Sequence, residues 1–74
     1  MNDILSNVPS GRRVLVVRIN AGKGLVDRLY QMGLLPGEEV FVKHNNRGIV
    51  VLEVRGVEIS VSRGIAMKIE VRSI

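Results

Sequence analysis

The sequence contains no cysteine, no tryptophan, one histidine and two aromatic residues among its 74 positions. Without cysteine, neither a disulfide nor a thiolate metal site can form, and the protein supplies no thiol redox chemistry. A single histidine, His44, has no second histidine or orienting group to build a general base or a multi-ligand metal site. It lies beside a predicted hairpin loop, and we expect it to be exposed.

The shortage of aromatic side chains restricts the ligands that the protein can bind. Tyr30 and Phe41 are the two aromatic residues. Single-stranded nucleic acids stack their bases on aromatic platforms, and proline-rich peptides lie in grooves lined by aromatic residues. Two aromatic residues are too few for either surface, so we expect binding to rely on aliphatic and charged groups.

Long apolar runs are also missing, and no segment approaches the ~20 apolar residues that a membrane-spanning helix needs. The N-terminal segment, MNDILSNVPSGRR, has no basic region and no long apolar region of the kind found in secretion signals. We therefore expect a cytoplasmic protein, and the absence of cysteine agrees with a reducing compartment.

Basic residues outnumber acidic ones by 11 to 7, which gives a net charge of +4. Such an excess is typical of proteins that bind nucleic acids, acidic partners or anionic membrane surfaces. Here the basic residues are dispersed from Arg12 to Arg72, and only Arg12 and Arg13 are adjacent. Dispersed charge favours a solvated surface over a nucleic-acid groove.

None of the common catalytic or cofactor patterns is present. NAGKGL, at 20–25, superficially resembles a phosphate-binding loop, but Val17 stands where that loop needs its first glycine. Gly24 also follows the lysine where serine or threonine is required. The carboxylates are scattered, and no serine lies in a nucleophile-elbow pattern. We therefore expect no enzymatic activity, no cofactor and no metal site.

The hydrophobic pattern predicts a mainly β protein. RVLVVRI, at 13–19, is an apolar run typical of a buried strand, and alternation after residue 37 predicts further strands. A chain of this length must limit open sheet edges, which a small barrel does. The sequence thus predicts a five-stranded barrel with strands at 13–19, 39–44, 49–54, 57–62 and 67–72.

One helix and one helical turn interrupt the predicted strands. Leu25, Leu29 and Met32 follow a helical spacing, so we predict a helix that is ended by Gly33 and place Leu25 and Met32 in the core. Leu29 is assigned either to the core or to a contact surface. A second helical turn, over 63–66 before the last strand, is predicted to be capped by Ser62. We interpret 1–9 as a lead-in whose Leu5 and Val8 pack against the body of the protein, and 10–74 as the domain.

Three segments together resemble the FeoA family: RVLVVRI at 13–19, GLVDRLYQMGLLPGEEV at 24–40 and SRGIAMKIEV at 62–71. The resemblance covers about 9–73. It implies an SH3-like barrel of the bacterial and archaeal ferrous iron transport system, in a domain also found at the C-terminus of DtxR-type iron-dependent repressors. One departure is the short loop NNRG at 45–48, where many family members carry a longer loop.

The resemblance further implies a non-catalytic partner of FeoB, the membrane ferrous iron permease with a cytosolic GTP-hydrolysing domain. By this interpretation the chain docks on the cytosolic part of the permease and reaches the membrane only through it. Neither a nucleic acid nor a bound iron ion is implied, and a weak homo-oligomer is compatible with the family. Docking that activates, inhibits or only structurally supports the permease is compatible with the resemblance.

The apolar residues around the end of the helix predict a docking surface. Leu34 and Leu35 are adjacent, so both cannot easily face inward, and one exposed leucine beside Tyr30 would form an apolar patch. Leu35 covering only the barrel end is the alternative. Charged side chains at two positions of the helix would rim the patch. The predicted docking residues are Lys23, Arg28, Leu29, Tyr30, Leu34 and Leu35.

Two other functions remain open at the level of sequence. A free-standing basic barrel that binds RNA or DNA is favoured by the net charge but opposed by the shortage of aromatic residues. A regulatory module that packs on an iron-dependent repressor is the other alternative. It would need a separate chain, because this sequence has no DNA-reading helix of its own.

Overall fold

Residues 2–74 are described by a computed structural model of the chain. Six antiparallel strands form one sheet in the order β1-β6-β2-β3-β4-β5, which confirms the mainly β prediction and adds one strand to it. A short 3-10 turn spans Leu5–Asn7. The other elements are β1 (Asn2–Ile4), β2 (Arg13–Ile19), α1 (Lys23–Gln31), β3 (Glu39–Asn45), β4 (Ile49–Val54), β5 (Val57–Ser62), α2 (Arg63–Ala66) and β6 (Ile69–Ser73).

The sheet bends around a single hydrophobic core. Its bend is accompanied by two irregularities, where the register shifts between Val16 and Arg18 in β2 and between Val42 and His44 in β3. Such shifts increase local twist and let a small sheet curl. The core joins the inner face of five strands to α1 and the N-terminal segment through Leu5, Val8, Val14, Val16, Leu29, Leu34, Val40, Val42, Val50, Leu52, Val54, Val61, Ala66, Ile69 and Val71.

Local turn chemistry fixes the hairpin between β4 and β5, the two strands that the sequence predicts at 49–54 and 57–62. Arg55 and Gly56 both have positive φ, of 52° and 79°. This is the backbone of a type I′ turn, whose twist matches that of the strands it joins. The predicted bounds of β2, β4 and β5 agree with the structure, and Ser62 Oγ accepts a hydrogen bond from the Ile65 N–H as the predicted cap of α2.

The N-terminal segment, which we interpret as a lead-in to the domain at 10–74, packs against that domain. β1 pairs with β6, and Leu5 and Val8 lie in the core as predicted. The side-chain amide of Asn45, on β3, donates hydrogen bonds to the carbonyls of Ser6 and Val8. β1 was missed because three residues are too few to show a strand period.

The predicted start of the last strand at Met67 is wrong. The Met67 N–H donates to the carbonyl of Arg63, so Met67 is the C-cap of α2, and β6 begins at Ile69. The alternation that includes Met67 in the sequence is interrupted by the helical turn, and its side chain is 60% exposed.

Candidate docking surface

The end of α1 is closed by a Schellman motif that explains the sequence MGL. Gly33 has a φ of 97° and donates to the carbonyl of Tyr30, while the Leu34 N–H donates to the carbonyl of Leu29. These are the two hydrogen bonds of the motif, and Leu34 and Leu29 supply its usual hydrophobic contact. Both are buried, so the chain beyond the helix returns to the same core that the helix covers.

A second turn, over residues 35–38, follows directly and connects α1 to the sheet. The Glu38 N–H donates to the carbonyl of Leu35, and Gly37 has a φ of 90°. Proline and then glycine at the two central positions are typical of a type II turn. Gly37 N–H donates to the carbonyl of Val16, and the Val16 N–H donates to the carbonyl of Glu38. The closely spaced turns therefore hold the beginning of β3 against β2.

The end of β4 and the turn after it contact the two turns that link α1 to β3. Val54 Cγ1 lies 3.5 Å from the place that a Cβ on Gly33 would take. Arg55 Nε and a terminal nitrogen each lie 2.9 Å from a carboxylate oxygen of Glu38. This bidentate hydrogen bonding, together with the negative charge of Glu38, raises the pKa of Arg55 above its ordinary value.

Two of the predicted docking residues are not available to a partner. Leu29 is 2% exposed and Leu34 is fully buried, because the Schellman motif places one against the other inside the core. Assigning them to a docking surface is therefore corrected to a structural role. Leu35 is the exposed member of the leucine pair, with 37% of its surface accessible.

Met32, which the sequence assigns to the core, is 40% exposed. It is the last residue before the reversal at Gly33, and Leu34 takes the place on the buried face that an extended helix would give to Met32. Leu25, the other helical residue assigned to the core, is half-buried and packs against it. The Met-Gly-Leu order after a helix is the signal that would have placed Met32 outside.

The remaining predicted residues lie on different parts of α1. At about 100° per residue, Lys23 and Tyr30 fall on one flank of the buried stripe, and Arg28 and Met32 fall on the other. Lys23 Nζ lies 2.9 Å from a carboxylate oxygen of Asp27, one turn later. We call Arg28, Met32 and Leu35 the joint surface, because they are exposed residues at the end of α1 and in the turn after it.

Among the described residues, five ion pairs at the surface engage five of the 11 basic side chains and leave the net charge of +4 unchanged. Within residues 2–74, Arg28 of the joint surface has no carboxylate within 4.0 Å. The guanidinium carbon of Arg13 lies 5.3 Å from the centre of the Phe41 ring, in a cation–π arrangement that covers this half-buried aromatic side chain. The basic side chains without ion pairs belong to several elements of the fold.

Over residues 2–74, no three histidine or carboxylate side chains lie close enough together to hold one metal ion. His44 is exposed, as the sequence predicts. The helices of the same region include none long and apolar enough to span a bilayer.

Comparison with known proteins identifies the family to which this fold is similar. The FeoA domain model matches residues 4–73. A proposed Fe(2+) transport protein A of Methanocaldococcus jannaschii is 39% identical over 67 residues, which are 90% of this chain and 82% of that protein. The match to the family model begins at residue 4 and so includes Leu5 and Val8 of the N-terminal segment.

Solved structures share the fold over the full chain. A crystal structure of an iron uptake regulatory protein, FeoA, matches with a TM-score of 0.94 and 31% identity, covering 100% of both chains. IdeR of T. acidophilum matches with a TM-score of 0.89 and 22% identity, covering 99% of this chain and 34% of that one, which shows a shared fold alone. The matched family model and the relative with 39% identity show that the chain belongs to the FeoA family.

Proposed function

We propose that the chain is a non-catalytic accessory protein of ferrous iron uptake that docks, in the cytoplasm, on the cytosolic part of a FeoB-type permease. Membership of the FeoA family supports the link to ferrous iron transport. The observation that carries docking is the joint surface, where Met32 and Leu35 expose apolar side chains next to a rigidly held turn.

The rigidity of the joint favours binding over a purely structural role for Leu35. Hydrogen bonds from Gly33, Leu34 and Glu38 fix the backbone on both sides of the exposed leucine. A surface that is already ordered loses little conformational freedom when a partner covers it. The backbone requirement accounts for the glycines and the proline, but it does not require an apolar side chain at Leu35.

Arg28 gives the joint surface a positive charge that no ion pair within residues 2–74 neutralises. An apolar contact rimmed by a basic side chain suits a partner surface with an apolar pocket and an acidic rim. Tyr30 and Lys23, on the other flank of α1, would extend the contact if the partner wraps around the helix. We therefore propose that Leu35 lies at the centre of the contact surface with the permease and that α1 lies at its edge.

The direct test is a titration of the isotope-labelled protein with the purified cytosolic GTPase domain of the permease, followed by backbone amide shifts. We expect the shifts to cluster at 28–35. In Leu35→Asp, burying a carboxylate in place of an apolar side chain should weaken binding by about tenfold or more, since a buried leucine contributes roughly 1.5–3 kcal/mol. The amide spectrum of the variant, compared with that of the wild type, verifies that the fold is unchanged.

Ile49→Asp is the matched control for this substitution. Ile49 is 49% exposed and lies at the opposite end of β4 from Val54, about 17 Å along the strand. Binding should be unaffected by this change. Equal loss of affinity in both variants, or shifts confined to other surfaces, would contradict docking through the joint surface. A complex with the membrane part of the permease but not with its GTPase domain would contradict the choice of domain.

A further inference from the structure

β5 is an edge strand with one side of its backbone unpaired. In the part of the chain that the structure describes, it pairs with β4 alone, over six register pairs from Val54–Val57 to Ile49–Ser62. The N–H of Arg63 donates to the carbonyl of Gly48, which continues the same ladder. Because hydrogen-bonded residues alternate along an antiparallel strand, the odd-numbered residues bond to β4. The N–H and C=O groups of Glu58 and Ser60 therefore point away from the sheet, as does the N–H of Ser62. The C=O of Ser62 accepts the first hydrogen bond of α2, because Ser62 is the N-cap of that helix.

This edge carries few of the features that keep sheet edges apart. Natural edges are protected by short strands, proline, bulges or unpaired charges. β5 has six residues, no proline and an unbroken register with β4, whereas the pairing of β2 with β6 and that of β3 with β4 each contain a register shift. Its one charged residue, Glu58, lies 2.7 Å from Lys43 Nζ on β3 and is thereby neutralised.

We propose that β5 pairs antiparallel with β5 of a second copy of this chain. A two-fold axis at Ser60 is the symmetric register that uses all three outward-facing residues. Ser60 then faces Ser60 of the second copy, and Glu58 faces Ser62 of the second copy. A register shifted by two residues in either direction would leave one outward-facing residue opposite a turn residue or α2.

The side chains of the strand suit this register. The residue on the axis is a small, uncharged serine, so no like charges meet there. The two Glu58 side chains would lie about 14 Å apart, at four residues of strand length. Ile59 would face Val61 of the second copy, and Val57, now 59% exposed, would lie against the aliphatic stem of Arg63 of the second copy.

A pairing limited to one strand buries a small area, so we expect a weak and reversible dimer that forms at high micromolar to millimolar concentration. The dimer does not depend on the proposed permease. It would leave Leu35 accessible, since Leu35 belongs to the turn before β3 and not to β5. Self-association and docking can therefore be tested separately.

The first experiment measures sedimentation and backbone amide shifts of the wild-type chain from low micromolar to millimolar concentration. We expect concentration-dependent shifts at 57–63 and an increasing average mass. A monomer throughout this range overturns the proposal and leaves an extended segment of another protein as the occupant of the edge. Shifts centred on other residues overturn it as well.

The second experiment uses charge at the two-fold axis, where a homodimer differs from any other complex. Ser60→Glu places two carboxylates face to face and Ser60→Lys places two ammonium groups there, so each variant alone should dimerise several-fold more weakly. An equimolar mixture should recover mixed dimers at least as stable as the wild type at low salt. Neither substitution alters the ladder to β4, because the Ser60 backbone faces outward.

Ser73→Glu is the matched control, because it makes the same change in charge at an exposed position of β6. It should leave self-association unchanged. Dimers of Ser60→Glu and Ser60→Lys as strong as the wild type, or a mixture no stronger than its two components, would overturn the register centred on Ser60.

Discussion

β1 and β5 are the two edge strands of the same sheet, and they are held in place in different ways. β1 has three residues, and the chain after it is attached by buried Leu5 and Val8 and by the side chain of Asn45. β5 has six residues and is joined to its neighbour by a two-residue turn. One edge thus depends on contacts between distant parts of the sequence, and the other on local geometry.

This difference has consequences for stability and for binding. Distant contacts attach β1 to the sheet through the following segment, which is itself packed into the core, while Asn2 and Asp3 stay exposed. A local hairpin aligns β5 without covering its outer side, which remains available for pairing. We expect substitutions near β1 to act through loss of core packing, and substitutions near β5 to act through turn geometry and surface charge.

Among the substitutions that test this comparison, Leu5→Ala should lower the free energy of unfolding the most. Leu5 is 1% exposed and anchors the segment after β1 in the core. Removing a buried leucine side chain and leaving a cavity lowers the free energy of unfolding by about 2–5 kcal/mol. Urea unfolding followed by circular dichroism measures the loss. A change below about 1 kcal/mol would mean that the N-terminal segment contributes little to the core.

Asn45→Ala should have the next largest effect. The Asn45 amide donates to the carbonyls of Ser6 at 3.0 Å and Val8 at 2.6 Å, and both would lose a partner. The expected loss is about 2 kcal/mol, with faster hydrogen exchange in β1. Asn46→Ala, at the exposed neighbouring position, is the control and should change stability by less than about 0.5 kcal/mol. Equal effects of the two substitutions would show that the amide does not fasten β1.

The two edges also differ in how far the sequence predicts them. Arg55-Gly56 between two alternating segments is a local signal, and the hairpin it predicts matches the structure. β1 has no such signal, since its pairing with β6 is set by Leu5, Val8 and Asn45, which act over long sequence separations. The sequence identifies the anchoring apolar residues but not the strand in front of them.

The docking surface is predicted in part for a similar reason. An exposed leucine after the helix follows from the adjacency of Leu34 and Leu35. Which of the two it is depends on the Schellman motif, whose hydrogen bonds return Leu34 to Leu29 and leave Met32 outside. Helical periodicity alone continues the buried face through Met32, and so it assigns Met32 incorrectly.

Gly56→Ala tests whether the β5 edge depends on its turn. Gly56 has a φ of 79°, a conformation that costs an L-residue about 1–2 kcal/mol, and no neighbouring atom would contact the added Cβ. Stability should therefore fall by about that amount. Gly24→Ala is the control, and its expected change in stability has the opposite sign. Gly24 lies in α1 with open space around it, so alanine there should raise the free energy of unfolding by up to about 1 kcal/mol. The same sign for both variants would contradict a backbone origin of the effect.

The smallest expected effect concerns the charge pair on the outer face of β5. The hydrogen bond from Lys43, followed by its positive charge, lowers the pKa of Glu58 below the ordinary value of 4.5. A carboxyl with a lowered folded-state pKa stabilises the protein above its unfolded pKa, and this contribution is lost as the pH falls through the folded value. Stability should thus decline slightly more below pH 4.5 in the wild type than in Glu58→Gln.

Urea midpoints of the wild type and Glu58→Gln, measured from neutral to acidic pH, give this difference directly. Both partners are exposed, so the difference should be small and should shrink further in high salt. Glu53→Gln is the control: Glu53 faces Glu58 across the ladder without an ion pair of its own in residues 2–74, and its removal should not weaken the protein. A pH dependence that persists unchanged in Glu58→Gln would assign the acid sensitivity to other carboxylates and leave the β5 edge without an electrostatic contribution.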